Sequence, residues 1–557
     1  MSVQSRGRAD AVADDLPDDL PDDRYEAWVA SHLALEHLQI LRDQGPTVVR
    51  LERWTEQAEH RGWPEVHVQL LDCRLLSAAL SGCGPREIRE RADALLAAAL
   101  RSEDEVLLAR AIACRVQNLV ASGQPGSPDE DFPGEVARAV AMLDDALRAG
   151  PAALGDRAAD LPAAYVECGL AYYRYELWEL EAEMYDRAER ACALPLDDAL
   201  QVVVDLTRKV IPMNRQENDC TLACALLEVG RDDDARDVAR RRPAAAPAPR
   251  SRLPELWRLE IAAQDHLLTV VAAGPEAPEE ACEVPAELYE ALGRSTWQGY
   301  RGLLHLAAAL ARRARGDLVG AAAEAALAVE RFDGYGPTPR NLALALAALG
   351  TPESPAHRYA RHLVGLRWDA RLHVLAAARA RLVAAGTLRD GEALRRQLLT
   401  DELTGLGSRR AWSQALDALR ADDDAARVAV VLLDLDAFKQ VNDTFGHTVG
   451  DEVLRVVGAL LADAARGDDL VVRLGGDEFA LLARPDGEDD LSGRAVAMVE
   501  ALRRHDWEPL AAGLRVTASA GHASGPADAV DTLLATADAR LYAAKAAGRD
   551  RAYTQAT

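Results

Sequence analysis

The spacing of apolar residues changes once along this 557-residue chain, near position 386, and that change constrains the fold more than any single motif. Upstream, from about residue 25, Ala, Leu, Arg and Glu recur at helical spacing, and β-branched runs are few. Downstream, runs such as RVAVVLLDLD (427–436) alternate with amphipathic segments. Helix-period and strand-period stretches bury their apolar faces in different layer architectures, and the chain is too long for one core. The expectation is a multidomain protein: an all-α N-terminal region and an α/β C-terminal domain.

The helical half carries a weak internal pattern. LLEVGRDDDARDVA places Ala235 and Ala239 after Gly230. ARRARGDLVGAAAEAAL places Ala321 and Ala325 after Gly316, and YRYELWELEAEMYDRA has Leu177 and Ala182 at the same offset. A turn followed by small residues, where a second helix packs closely, resembles the tetratricopeptide repeat, though the units are unevenly spaced. A solenoid of this kind offers a concave surface to a protein, a peptide or a small ligand. A plain helical bundle is the alternative. ASGQPGSPDEDFPG (121–134) and RRPAAAPAPRSRLP (241–254) read as loops.

A net charge of −26 argues against a nucleic-acid groove. Every apolar run is broken by charge before a membrane span's length of about 18 residues, so no membrane span is expected. The first 24 residues lack an apolar signal core and read as a disordered acidic tail. All eight cysteines lie in the helical region, upstream of 386, and none forms a CxxC pair. Buried, reduced thiols in a cytoplasmic protein account for them.

In the second half, strands are expected at 427–436, on both sides of Gly475-Gly476 in VVRLGGDEFALL (471–482), and at LRVTASAGHA (514–523). Helices are expected at 451–465, about 489–505 and 531–549, packed on the sheet. Asp434 and Asp436 close the first strand; Asp477 and Glu478 follow the glycines. If the strands are neighbours, Asp434 and Glu478 can converge on one hard cation, with room for phosphate oxygens. The same acids also fit a solvated hairpin tip.

Four stretches decide between these readings: DELTGLGSRR (401–410), DLDAFKQVNDTFGHTVGDEVL (434–454), RLGGDEF (473–479) and ADARLYAAKAAGRDR (537–551). In this order, over a whole domain, they resemble the GGDEF family of diguanylate cyclases, which join two GTP into cyclic di-GMP. The resemblance implies a nucleotide-cyclase-like sheet flanked by helices. It implies that Asp434, Glu478 and the Leu435 carbonyl hold Mg²⁺, with Mn²⁺ as an alternative. Asp477 becomes a metal-side carboxylate and candidate base for the ribose 3′-hydroxyl, so Asp477 and Glu478 form the catalytic pair. Asn442 and Asp451 match guanine-binding positions. Lys545 and Arg549 match phosphate-contacting positions one turn apart on the last helix. Gly475 and Gly476 admit substrate close to the backbone, while Phe438 and Phe479 pack. Lys439 falls within the second motif and is a further candidate for binding substrate; the chain has three lysines, and Lys439 and Lys545 are the two inside cyclase motifs, a placement chance could also produce. Ser408 stands where the family commonly has Asn.

Arg466 and Asp469, an RxxD spacing shortly before Gly475, match the family's inhibitory product site; a surface ion pair would give the same spacing. The two-fold symmetry of the product implies a homodimer of cyclase domains. The expected organisation is an acidic tail (1–24), a tetratricopeptide-like region (25–365), a connecting signalling helix (366–400) and the cyclase domain (401–557). A phosphodiesterase domain downstream is not expected. The competing functional reading is a non-catalytic cyclic di-GMP receptor or interaction scaffold.

Overall fold

The computed structural model describes residues 16–40, 45–123, 131–241, 253, 255–294, 299–332, 337–348, 355–421, 427–466, 469–483 and 488–553. The chain divides into two compact units, Met1–Thr387 and Leu388–Thr557.

The first unit is helical among its described residues, and consecutive helices pack on one another. The three turns singled out in the sequence each join two helices that pack on one another. Gly230 and Gly316 take left-handed φ values of +79° and +83°, and Ala235, Ala239, Ala321 and Ala325 are buried behind them. In the third case Glu176, with no glycine at hand, adopts φ +58° before the Trp178–Cys192 helix. Close approach has a measurable cause: a Cβ at Gly302 would sit 2.8 Å from the Phe332 ring. The unit's core contains a buried polar network. Arg110 lies 2.8 Å from Asp72, and Asp72, Cys114 and Glu167 gather beside it. Six of the eight cysteines are buried, and all eight are free thiols.

The expected disordered tail falls partly outside the described residues, and its described end is packed. Leu16 and Leu20 are buried, while Asp18, Asp19 and Asp22 meet Arg50, Arg53 and Arg61 at 3.3, 3.3 and 2.8 Å. The two leucines sink into the core while the acids face a basic helix edge, which a reading from composition alone does not capture. The connecting helix is also longer than expected. It spans Pro355–Leu399, beginning 11 residues before the anticipated 366. Among the described residues, no helix is long and apolar enough to cross a membrane.

The second unit is one five-stranded sheet flanked by helices. We number its strands β1 (Arg427–Leu435), β2 (Leu470–Gly475), β3 (Glu478–Ala483), β4 (Ala518–Pro526) and β5 (Arg551–Ala552). Its helices are α1 (Arg409–Ala421), α2 (Phe438–Phe445), α3 (His447–Asp463), α4 (Glu488–Arg504) and α5 (Val530–Ala546). The strand order is β2-β3-β1-β4-β5, antiparallel except for the β4–β5 pair. β1 is therefore central, which is why it reads as a near-continuous Val/Leu run. One face packs Val431, Leu433 and Phe479 against Val453 and Val457 of α3 and Met498 of α4. The other packs Val430, Val472 and Ala480 against Trp412 of α1 and Ala537 of α5. Phe438 and Phe479 are buried packing residues, as expected. β4 begins at Ala518 rather than 514, because its ladder with β1 starts opposite Leu435.

Candidate active site

β1 and β3 pair in a register that sets Asp434 directly across from Glu478. The pairing runs on into the turn, where the Leu435 N–H donates to the Asp477 carbonyl at 3.1 Å. Facing residues of an antiparallel pair share one side of the sheet, so both side chains leave the sheet on the same side. Asp434 is mostly buried and Glu478 is exposed. Lys545, near the end of α5, brings its Nζ to 2.7 Å from an Asp434 carboxylate oxygen. Burial pushes the Asp434 carboxyl above its usual range, against the pull of Lys545; the neighbouring charges of Asp477 and Asp436 push the same way as burial.

The turn itself demands glycine. Gly475 has φ +144° and Gly476 φ +54°, and a Cβ at either would meet nothing within 4 Å. The requirement is conformational, and the space above the turn is open. Arg473 braces it from the side: Nε and Nη2 donate to the Gly476 carbonyl at 3.0 and 2.9 Å, and Nη1 lies 3.3 Å from Asp401. Asp401 in turn accepts from the Thr404 N–H and hydroxyl at 3.0 and 2.7 Å. Its carboxyl stays below the usual range: burial works to raise it, but the Thr404 and Arg473 donors prevail. The first motif is thus tied to the third. Both residues were visible in quoted motifs, but nothing in the sequence indicates a contact across 72 positions.

Asp436 does not share the role of Asp434. Its carboxylate accepts from the Thr517 and Ser519 hydroxyls at 2.9 and 2.7 Å and from the Asp550 N–H at 2.9 Å. It ties β1 to β4 and to the turn after α5. Arg549 also departs from expectation. α5 ends at Ala546, and Arg549 lies beyond it with φ +61°, its N–H bonded to the Ala544 carbonyl at 3.2 Å. Gly548 and Arg549 close the helix so that Arg551 can enter the sheet, and Arg549 therefore leaves the helix face that carries Lys545.

Two glycines bring Asn442 against the residue that precedes Asp451. Gly446, at φ +84°, separates α2 from α3. A Cβ at Gly450 would fall 1.9 Å from Asn442 Oδ1, so the carboxamide lies over Gly450, next in the chain to exposed Asp451. Lys439 is exposed in the first turn of α2. On the far side of β2, Asp469 accepts from the Arg466 N–H at 2.8 Å and pairs with Arg494 of α4 at 2.7 Å. That pair is buried, whereas Arg466 is exposed.

The donor set suits a hard divalent cation: carboxylates on adjacent strands, of which Asp434 already carries a cationic ammonium. Asp434, Asp477 and Glu478 do not form a tight trio; among the described residues the three-ligand cluster is Asp72, Cys114 and Glu167 in the first unit. Two opposed carboxylates beside the Leu435 backbone are what the site offers.

Residues 398–551 match the family model described as diguanylate cyclase, GGDEF domain. The C-terminal part of this chain is a GGDEF domain. Its relatives include the response regulator PleD of Caulobacter vibrioides, 40% identical over 162 residues, covering 27% of this chain and 35% of PleD. The diguanylate cyclase DgcZ of Escherichia coli is 32% identical over 152 residues, covering 27% of this chain and 51% of DgcZ. The chain thus spans about a third to a half of the curated relatives it matches. A solved structure of the coiled coil and GGDEF domain of DgcB from Caulobacter crescentus with c-di-GMP is 29% identical. It covers 33% of this chain and 98% of that one, with a TM-score of 0.29.

Proposed function

We propose that the GGDEF domain condenses two GTP into cyclic di-GMP and two pyrophosphates, working as a pair of chains. The observation that carries this reading is the register that sets Asp434 opposite Glu478, with Lys545 at 2.7 Å, beside an open glycine turn. Asp434, Glu478 and the Leu435 carbonyl would hold Mg²⁺, with Mn²⁺ as the alternative; bound there, the ion supplies positive charge to the triphosphate. The protein's part is positioning. Asn442 presents an amide and Asp451 a carboxylate to the guanine edge, which offers both an acceptor and N–H donors. Gly475 and Gly476 leave room for substrate at the backbone. Lys545 and Lys439 supply ammonium groups for phosphate oxygens, and Arg549 approaches from the turn rather than from the helix. Asp477 takes the proton of the ribose 3′-hydroxyl. The freed oxygen attacks the α-phosphorus of the GTP held by the partner chain, the bond to the pyrophosphate oxygen breaks, and the step repeats in the other direction.

Pairing of chains has support in the connecting helix. Its exposed Tyr359, Leu363, Leu366 and Ala370, and later Gly391, Leu394 and Leu398, follow the alternating four-three spacing of a coiled-coil seam. Product feedback at Arg466 and Asp469 belongs to the same reading. Asp469 is held by Arg494, and Arg466 is the solvent-exposed member of the spacing. The helical unit, read as divergent tetratricopeptide-like repeats, regulates the pairing. In vitro, the full-length protein with GTP and Mg²⁺ yields cyclic di-GMP, and Glu478→Gln lowers the rate at least 100-fold while the fold persists. Tight cyclic di-GMP binding by a wild-type protein that turns over no GTP would replace this reading with that of a receptor.

A further inference from the structure

A second face of the connecting helix, beside that seam, is engaged within the first unit, and its centre is Arg371. This guanidinium is 5% exposed. Its Nε donates to the Glu176 carbonyl at 2.6 Å, and its Nη2 bonds Glu179. Its guanidinium carbon lies over two indoles, 4.3 Å from the Trp178 ring centre and 4.8 Å from that of Trp368. Arg231 lies over the Trp368 ring at 5.9 Å. The result is an alternating stack, Arg231, Trp368, Arg371, Trp178, drawn from two segments of the repeats and from the connecting helix. The Glu176 carbonyl is available because that residue takes the left-handed turn, φ +58°, that opens the Trp178–Cys192 helix.

Around this centre the same helix is held by weaker ties. Arg367 pairs with Glu228 at 2.5 Å, Arg379 with Glu183 at 3.1 Å and Arg381 with Asp131 at 3.0 Å. Leu375 and Ala378 are buried in the repeat core, and Ala385 packs with Ala137 and Ala141. The flanking arginines keep 39 to 51% side-chain exposure, where ion pairs contribute little. Arg371 differs in being desolvated, set over two indoles and bonded to a carbonyl and a carboxylate. Removing it would leave Glu179 and the Glu176 carbonyl without that donor and two indoles facing a void. One further N–H of Arg371, at Nη1, is buried with no acceptor, so the pocket holds the guanidinium at a cost.

We infer that Arg371 is the pin by which the repeat unit holds residues 367–385 of the connecting helix, and that engaging or releasing it is how the repeats change cyclase output. Such a contact has two discrete states, pinned or open, because a stacked and buried guanidinium is not continuously adjustable. A partner that binds the repeats better in the open state shifts the population, and only in proportion to that preference. The inference rests on the cyclase reading for its output but not for its structure.

The test uses the full-length chain and Arg371→Ala, Arg371→Lys and Glu179→Gln, with two readouts. Amide hydrogen exchange across 367–385 is expected to quicken at least tenfold in Arg371→Ala, with exchange in 430–433 of β1 unchanged. Lys keeps the charge but loses the planar stack, so Arg371→Lys should recover less than half of the protection. Glu179→Gln should fall between wild type and Arg371→Ala. The rate of cyclic di-GMP formation should change at least threefold in Arg371→Ala. Unchanged exchange at 367–385 overturns the pin. Quickened exchange with an unchanged rate, in a protein whose wild type is active, overturns its role in output. If the wild type makes no cyclic di-GMP while exchange quickens as stated, the cyclase reading fails and the pin stands.

Discussion

Arg473 shows how much of this site depends on a residue that need not touch a reactant. It sits two positions before Gly475 and donates twice to the Gly476 carbonyl, fixing a turn in which Gly475 occupies a backbone region closed to other residues and Gly476 the left-handed region that favours glycine. Both bonds are exposed, where charge-assisted bonds are worth about 0.5–1 kcal/mol each. Arg473→Ala is therefore expected to leave the domain folded, with its melting temperature lowered by a few degrees. Cyclic di-GMP formation should fall at least tenfold, mostly in kcat, because the turn that carries Asp477 and Glu478 loses its brace. Steady-state kinetics beside a thermal melt checks this. An unchanged kcat would mean that the glycine turn holds its shape unaided.

At the level of elements, the approach of α5 to β4 positions Lys545. A Cβ at Gly521 would lie 2.1 Å from the Ala537 carbonyl oxygen and 2.2 Å from the Leu541 nitrogen, both backbone atoms that cannot turn aside. Gly521→Ala must push the helix off the sheet, at a cost of about 1–3 kcal/mol as for other overpacked contacts. Lys545, at the far end of that helix, would move with it from its 2.7 Å contact with Asp434. The expected outcome is a lower chemical-denaturation midpoint and a several-fold rise in KM for GTP. A loss of stability with KM unchanged would separate packing from positioning. Element type was legible here: the strand at 427, the helix at 451 and the last helix all appear where periodicity placed them. Element ends were less so. β4 starts at Ala518 because a ladder partner exists only from there, and α5 stops at Ala546 because Arg551 is taken up by the sheet. Neither partner is local, so no local pattern announces it.

On the scale of the whole molecule, the helical unit carries buried carboxyls that respond to pH. Burial pushes Asp219 up to about 6, against the opposing pull of Arg215 and Arg241. Burial likewise raises Glu167, with Asp72 adding to it and Arg110 opposing. A carboxyl raised on folding binds its proton more tightly in the folded state. Its contribution is complete below the ordinary range near pH 4 and is lost as pH climbs through about 6. The full chain should therefore melt higher at pH 5.5 than at pH 8, by about 1 kcal/mol for Asp219 once its partial exposure is allowed for. Asp219→Asn should narrow the difference. Melting curves by tryptophan fluorescence report it, and a protein more stable at pH 8 would contradict the sign.

Read one residue at a time, the chain already declares a helical half, an α/β half and the four motifs that identify a GGDEF domain, because periodicity and turn chemistry are written into short stretches. It also declares the identity of the acids. What each acid does was decided only on folding. Asp434 and Asp436 stand two apart in the same motif, yet one faces Lys545 and Glu478 while the other is consumed by Thr517, Ser519 and the Asp550 backbone. The pairing of Arg371 with Trp178 and Glu179 across nearly two hundred residues is likewise invisible in the sequence. Local conformation follows from neighbours along the chain, whereas the state and use of a charged group follow from whatever the fold brings to within a few ångströms of it.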